Sequence, residues 1–412
     1  MSNKRILLIG GNFYPEPTGI GKYNGEMIDW LSRHGFDCTV ITTYPYYPYW
    51  KIQEPYGRQA YWYSKEVRIA GEGHYVDVYR CPHYVPRRPS GMKRIWMDLS
   101  FSFSALGMLL TLLPARRFDT VITVAPPFHL GFLALLYKTF RKSRFMYHVQ
   151  DLQIEAARDL GLVRNRSILR ALFAAEALIL KRADVISSIS DGMIGKIREK
   201  CKRPLRLFPN WSDVQLFHPL PEKGILKKAF GFAPEEHVVL YSGAIGEKQG
   251  LQSIIGAARI LRERGDVRFV VCGSGPYKDN LMDMAAREDL ANIVFLPLQP
   301  LDVFNEFLNM ADVHLILQKA GASDLVMPSK LTNILAVGGL SIVTAEPGSS
   351  LYDVVERHGI GLLVPSEDPA ALARGIEQAL SADHSFIHNN SRKYAETFLS
   401  IDGVLGRYFE SV

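Results

Sequence analysis

The chain has 412 residues, of which 47% are hydrophobic and 22% are charged. This length favours two domains that each bury a core, and this composition excludes a disordered chain. The net charge of +6 is unevenly spread along the chain. Residues 1–206 hold 31 Lys and Arg against 17 Asp and Glu, a net charge of +14. Residues 207–412 hold 17 Lys and Arg against 25 Asp and Glu, a net charge of −8. A basic half predicts contact with an anionic membrane surface, which is favoured over nucleic acid because no nucleic-acid module is recognisable.

Strand-like and helix-like runs alternate along the chain, beginning with RILLIG at 5–10. This run ends at two glycines, which is too short for a secretory signal and predicts a buried strand. Further strands are predicted at 37–43, 119–125, 144–149 and 184–190, and helices at 21–34, 92–113 and 165–182. The second half restarts with strands at 237–243, 267–275, 292–298, 312–318 and 340–346 and a helix near 250–264.

Such βα alternation predicts an α/β fold with two doubly wound, Rossmann-like domains of parallel strands that face each other across a cleft. Segment 207–220 has no periodicity and is predicted to join them. Ligands bind beyond the carboxyl ends of strands in these sheets. The four cysteines (Cys38, Cys81, Cys201 and Cys272) have neither metal-type nor disulfide spacing, which favours reduced cytosol.

The segment 92–117 raises the question of a membrane-spanning helix. From Ile95 to Leu113 it has 19 residues with one charge, Asp98, and basic residues flank it. This is barely long enough to span a bilayer, and a spanning helix would disrupt the βα series, so spanning is disfavoured. A helix that rests in the lipid interface and an ordinary buried helix both remain open.

Three glycine-rich turns follow predicted strands and precede predicted helices. The first, PEPTGIGKYNGEM (15–27), contains Gly19 and Gly21. The second, YSGAIGEKQGLQSII (241–255), contains Gly243 and Gly246, with Lys248 nearby. The third, VCGSGPYKDNL (271–281), contains Gly273 and Gly275. Each could be no more than a tight turn. Three at matched places favour a diphosphate-containing ligand, because glycine lets a backbone approach phosphate closely.

The stretch SDLVMPSKLTNILAVGG (323–339) places polar residues at the start of an apolar helix. Pro328 is suited to a helix start, and Ser329 and Lys330 there predict an anion site with an added cation. Asn333, one turn later, could bind a ribose hydroxyl, and Asp324 could hold sugar hydroxyls. The plainer alternative is a helix cap with a lysine that reaches solvent.

Two other stretches carry weaker signals. HVQDLQIEAARDLG (148–161) brings His148 and Asp151 to a strand end, which suits a catalytic cleft, although a lone histidine is often structural. Glu155 either shares that site or faces solvent. The aromatic run TYPYYPYW (43–50) could be a stacking platform, a lipid-facing loop or packing.

Taken together, the glycine turns, the PNWSD linker, FLPLQP, ADVHLIL and the PSK helix resemble the GT-B retaining glycosyltransferases of family 4, nearly end to end. TGIGKYNGEM, GEKQGL and PSKLTNILAVGG are most similar to the colanic-acid-type fucosyltransferases of exopolysaccharide biosynthesis. The resemblance implies sugar transfer without metal or cofactor from a nucleotide sugar, GDP-fucose or else UDP-N-acetyl-fucosamine. It implies a polyprenyl-diphosphate-linked saccharide as acceptor and peripheral binding to the cytoplasmic face of the membrane.

The resemblance also implies how the chain is divided. Residues 1–206 form the acceptor domain, 207–219 the linker and 220–385 the nucleotide-sugar domain, and a C-terminal helix at 386–412 crosses back to the first domain. Catalysis is assigned to Lys330, His148, Asp151 and Asp324. Donor binding is assigned to Gly19, Gly21, Gly243, Lys248, Gly273, Gly275, Ser329 and Asn333.

Two departures from the family pattern affect these roles. Asn333 stands where many members have a second glutamate, and Ala244 stands where many have an arginine, so Lys248 and Lys330 are left to neutralise the diphosphate. Two other functions stay open. A nucleotide-sugar 2-epimerase shares the architecture but would not need a basic half, and a non-catalytic protein that binds the sugar lipid would not need an intact phosphate site.

Overall fold

A computed structural model describes residues 4–17, 19–159, 163, 165–319 and 328–410, except the side chains of Asp159 and Lys248. The chain divides into two compact units, Met1–Phe208 and Pro209–Val412. Asp324 and the side chain of Lys248, both predicted site residues, lie outside the described part. The predicted return of the C-terminal helix to the first domain stays a prediction.

The N-terminal unit is built on an eight-stranded sheet in the order β3-β4-β2-β1-β5-β6-β7-β8. The strands are parallel except β3, which pairs antiparallel with β4. Central strands are continuous apolar runs because helices cover both faces of a parallel sheet. The strands are β1 (Arg5–Gly10), β2 (Asp37–Thr43), β3 (Ser64–Gly71), β4 (His74–Cys81), β5 (Thr120–Ala125), β6 (Arg144–Val149), β7 (Val185–Ser188) and β8 (Leu205–Leu207).

The helices of this unit are α1 (Gly19–Arg33), α2 (Gly91–Leu112), α3 (Gly131–Arg141), α4 (Gln153–Asp159), α5 (Arg166–Arg182) and α6 (Asp191–Lys200). Helix α2 is long and apolar enough to cross a membrane by length and composition alone, and most of its apolar stretch is not buried. Its buried residues recur at every third or fourth position, which is one face of a helix: Met97, Phe101, Ala105, Leu109 and Leu112. Trp96 and Phe103 are exposed.

The C-terminal unit contains a six-stranded sheet in the order β11-β10-β9-β12-β13-β14, with every pair parallel. Its strands are β9 (His237–Ser242), β10 (Val267–Cys272), β11 (Ile293–Leu296), β12 (Val313–Ile316), β13 (Ser341–Thr344) and β14 (Leu362–Val364). Its helices are α7 (Lys223–Ala229), α8 (Gln252–Ile260), α9 (Lys278–Arg287), α10 (Leu301–Asn309), α11 (Lys330–Ala336), α12 (Ser350–His358), α13 (Pro369–Ser381), α14 (Ser385–Tyr394) and α15 (Ile401–Glu410).

The predicted α/β class with two Rossmann-like units is confirmed, and all ten predicted strands are present. Four strands were not predicted: the β3–β4 hairpin, β8 and β14. The hairpin lies at a sheet edge with Val67 and Ile69 exposed, so it lacks the continuous apolar run of a central strand. The other two strands have only three residues each.

Candidate functional site

In the C-terminal unit, the glycine turns that follow β9 and β10 pack directly against each other. A Cβ on Gly273 would overlap the carbonyl oxygen of Gly243, and one on Gly275 would overlap that of Ile245. The Ile245 amide donates to the Ser274 carbonyl at 2.9 Å. Glycine is therefore required here for contact between two loops of the protein itself. The donor-binding roles of Gly273 and Gly275 stay predictions.

Lys330 is the first residue of α11, and its side chain reaches these turns. Its Nζ lies 3.4 Å from the centroid of the Tyr241 ring. A Cβ on Gly243 would lie 3.2 Å from Cε and 3.3 Å from Nζ of this lysine. Gly243 thus leaves the room that the lysine side chain occupies at the carboxyl end of β9.

The ammonium group of Lys330 is buried, although part of the side chain is accessible to solvent. Within the described ranges, Nζ has no hydrogen-bond partner. Burial lowers the pKa of Lys330 well below its ordinary value. Because an unpaired buried cation is unfavourable, an anion placed here would be strongly attracted. This arrangement can bind and stabilise a phosphate oxygen.

Ser329 and Asn333 flank Lys330 along the chain. Ser329 is exposed, and its side chain makes no capping bond to α11. The Oδ1 atom of Asn333 accepts a hydrogen bond from Oγ of buried Ser212 at 2.8 Å. Asn333 thus attaches the segment after Pro209 to α11. The ribose contact assigned to Asn333 and the donor contact assigned to Ser329 stay predictions.

In the N-terminal unit, Gly19 and Gly21 lie in the first turn of α1, and Gly19 has a φ of +61°. A Cβ on Gly21 would lie 2.8 Å from Oε2 of Glu16 and 2.7 Å from its Cβ. Gly21 therefore makes room for a buried carboxyl group. The phosphate contacts predicted for both glycines stay predictions.

Glu16 is a buried acid that the sequence analysis missed. Its Oε1 accepts from the backbone amides of Tyr46 and Tyr47 at 3.0 and 2.9 Å, and its Oε2 accepts from Asn12 Nδ2 at 2.8 Å. Burial nevertheless raises its pKa to about 7. The available signal was a glutamate between two prolines inside a glycine turn.

Asp98 on α2 is a second carboxyl group in this unit with a raised pKa. Burial raises the pKa to about 7, opposed by a hydrogen bond from Gln153 and by the charge of Arg94. Gln153 also accepts from the Phe128 amide at 3.2 Å. The sequence signal for Asp98 was present, since it is the one charge in a long apolar run. Such groups can exchange a proton near neutral pH.

His148 lies near the carboxyl end of β6 and is 5% exposed. Its Nδ1 is 3.0 Å from Oγ of Ser187, and its ring meets Phe208 edge-on at 4.9 Å. Burial lowers its pKa to about 3, so the ring is neutral at pH 7. Asp151 follows two residues after β6 ends. The catalytic roles of both residues stay predictions.

The structure bears on two questions that the sequence left open in this unit. Glu155 is buried and forms an ion pair with Lys200, which also contacts Glu176 at 2.7 Å, so Glu155 does not face solvent. In the aromatic run, Tyr44 and Tyr46 are buried, and the Tyr44 hydroxyl donates to the Trp62 carbonyl at 2.8 Å. These two tyrosines serve packing.

Within the described ranges, no group of three His, Cys, Asp or Glu residues is arranged to hold a metal ion.

Two family models match most of the chain. Residues 18–211 match the model described as Glycosyl transferase 4-like domain, and residues 222–397 match Glycosyl transferases group 1. The chain is 38% identical over 419 residues to the putative colanic acid biosynthesis glycosyl transferase WcaI of Escherichia coli K12, covering 99% of each protein.

Solved structures with the same fold are more distant in sequence. Sucrose-phosphate synthase from Thermosynechococcus elongatus is similar with a TM-score of 0.75 and 15% identity, covering 99% of this chain and 98% of that one. HepE from Anabaena, solved with UDP and glucose, is similar with a TM-score of 0.70 and 13% identity over 99% of each chain. At such identities the likeness shows the fold alone.

Proposed function

Because the chain belongs to the glycosyltransferase family defined by the group 1 and 4-like domains, we propose that it transfers a sugar from a nucleotide sugar to an undecaprenyl-diphosphate-linked acceptor. Exopolysaccharide synthesis is the proposed setting, supported by the 38% identity to a relative named for colanic acid biosynthesis. L-Fucose from GDP-fucose is the proposed donor sugar. UDP-N-acetyl-fucosamine is the alternative donor.

The buried ammonium of Lys330 is the observation that carries this proposal. It lies beyond the carboxyl end of β9, where open parallel sheets bind their ligands, and it has no hydrogen-bond partner in the described ranges. A leaving diphosphate gains negative charge in the transition state, so a cation already aimed at it lowers the barrier without further reorganisation. Retention at the anomeric carbon is proposed, with catalysis by orientation and leaving-group stabilisation.

The reaction is tested with purified protein, a panel of nucleotide sugars and a synthetic undecaprenyl-diphosphate-linked saccharide. We expect one donor to raise the melting temperature, because a ligand that binds only the folded state stabilises it. Glycosylated lipid should form only when donor and acceptor are both present. Epimerised nucleotide sugar formed from donor alone would indicate the epimerase instead. Failure of every nucleotide to bind would indicate a non-catalytic protein.

A peripheral association with the cytoplasmic face of the membrane is also proposed. Helix α2 supports it, with Trp96 and Phe103 exposed and with basic residues before its first turn. Stable peripheral binding combines an apolar insertion with charge attraction to anionic lipid. Phe101 contributes to the buried face of α2, so the inserted aromatic side chains are assigned to Trp96 and Phe103 only.

A further inference from the structure

A cavity lies in the C-terminal unit, at the opposite end of its sheet from Lys330. It has a volume of about 350 Å³, and its lining includes Lys223, His314, His388 and Arg392. His314 is the second residue of β12, so the cavity lies at the amino ends of the parallel strands. The glycine turns and Lys330 follow their carboxyl ends. This cavity is therefore separate from the proposed donor site.

His314 is the buried polar group of this cavity. It is 1% exposed, and its Nδ1 has no hydrogen-bond partner among the residues that the structure describes. Its ring passes over Gly339, where a Cβ would lie 2.8 Å from Nε2. Burial, together with the positive charges of Lys223 and His388, lowers the pKa of His314 to about 3. The side chains of Lys223 and His388 thus lie near a neutral imidazole.

The neighbouring basic side chains mainly contact backbone carbonyls. Lys223 Nζ donates to the Ala311 carbonyl at 3.0 Å, and His388 Nδ1 lies 2.6 Å from the Gly338 carbonyl. Carbonyls offer partial charge only, so these contacts leave the positive charge largely uncompensated.

Two acidic groups lie close by and already have basic partners. Asp312 pairs with Lys227 at 2.7 Å, and its negative charge also attracts the ammonium of Lys223. Glu396 pairs with Arg392 at 2.7 Å. An excess of positive charge in a concave, partly buried site favours an anion.

We propose that this cavity binds a small phosphate ester, with its phosphate group held by Lys223, His388 and Nδ1 of His314. A phosphate oxygen accepts hydrogen bonds from Nζ of Lys223 and from Nδ1 of His314 when the proton is on that nitrogen. It accepts from Nε2 of His388 when that ring carries both protons, since Nδ1 of His388 already contacts the Gly338 carbonyl. The cavity volume is at the lower end of the usual range for small-molecule sites, about 300–1,000 Å³, and leaves room beyond a phosphate ion for a short polar group.

The test uses calorimetry on the full chain carrying Lys330→Ala, which removes the cation of the proposed donor site. Inorganic phosphate and glycerol 3-phosphate are the probes, and we expect both to bind, the ester more tightly. Lys223→Gln and His388→Gln, each added to that background, should weaken binding roughly tenfold or more, since each removes a group that holds the phosphate. Lys223→Arg, which keeps the charge, should preserve it.

Folding of each variant is checked by thermal melting, and the half-buried His388 provides a second variant if Lys223→Gln does not fold. Equal affinity for phosphate in the Lys330→Ala protein and in both glutamine variants made from it would overturn the site. So would loss of phosphate binding on Lys330→Ala alone. An ester that binds no tighter than the free ion would overturn the assignment of the ligand class.

Discussion

The ammonium of Lys330 lies over the face of the Tyr241 ring, with Nζ 3.4 Å from the ring centroid. The ring is fixed in turn, because the Tyr241 hydroxyl donates to the Ala244 carbonyl at 2.6 Å. A cation–π contact attracts the lysine without neutralising it. The positive charge therefore stays available to an incoming diphosphate.

Replacing Lys330 by alanine should remove most transferase activity and leave the fold intact. The loss should be about 10²–10³-fold in kcat, which is typical for one donor that stabilises charge in a transition state. Initial rates with the donor and the lipid-linked acceptor measure this, with circular dichroism as the folding check. Lys228→Ala, which removes an exposed lysine from the same unit, is the matched control. Near-parental turnover in the folded Lys330 variant would place the diphosphate elsewhere.

Gly243→Ala should impair activity through the same lysine. The added Cβ would lie 3.2 Å from Cε of Lys330, and the φ of +153° disfavours alanine. We expect weaker donor binding and lower kcat, whereas Gly265→Ala, where no atom lies within 4 Å of the new Cβ, should change neither.

A double-mutant cycle separates this route from a general disturbance. In a Lys330→Ala background, Gly243→Ala should cost little further activity, because residues that act through one contact are not additive. Full additivity of the two losses would show that Gly243 acts independently of the lysine.

The sequence predicted Lys330 better than it predicted Glu16, for a physical reason. Lys330 is a charged residue at the start of an apolar helix, and such a local conflict is visible in the chain itself. The amides that bind Glu16 belong to Tyr46 and Tyr47, which are 30 and 31 residues away along the chain. Only the folded sheet brings these loops together.

Burial of unpaired Lys330 should make the free protein less stable than a Lys330→Met variant, which keeps an unbranched side chain one atom shorter and without the charge. Because the folded pKa is lowered, the unfolded chain binds the proton more tightly, and the stability of the parent rises with pH up to the ordinary lysine pKa of about 10.4. In urea unfolding, the Lys330→Met variant should thus have the larger free energy of unfolding near pH 7, and the difference from the parent should shrink toward about pH 10. A parent more stable than the variant at neutral pH would contradict this.

Glu16 should give the opposite pH dependence. Its folded pKa of about 7 is above the ordinary value of 4.5, so the folded state binds the proton more tightly, and stability falls as pH rises between these two values. Glu16→Gln removes this titration. Relative to the parent, its free energy of unfolding should therefore rise by up to about 3 kcal/mol as the pH increases across that range. Urea unfolding at several pH values measures it, with Glu72→Gln as an exposed control. Parallel pH curves for parent and Glu16→Gln would refute the shift.

Binding to anionic vesicles should depend on the basic residues before and within the first turn of α2. Arg87, Arg88, Lys93 and Arg94 are exposed and precede Trp96, which is 61% exposed. Each basic side chain near an anionic surface contributes about 1 kcal/mol, so reversing all four to glutamate should release the protein from vesicles. Nucleotide binding by the C-terminal unit, which carries Lys330, should stay unchanged. Sedimentation with vesicles and calorimetry with the donor measure the two effects.

Four arginine-to-glutamate changes in the C-terminal unit provide the matched control for this quadruple variant. Arg259, Arg262, Arg264 and Arg287 are also exposed, and reversing them should leave vesicle binding intact. Binding of the parent should weaken as salt rises, because exposed charges are screened beyond about 8–10 Å near physiological ionic strength. Equal sedimentation of parent and quadruple variant would exclude this surface as the membrane face. Retention of the parent in high salt and alkaline carbonate would instead mean that α2 inserts across the bilayer, since only an integral helix resists both.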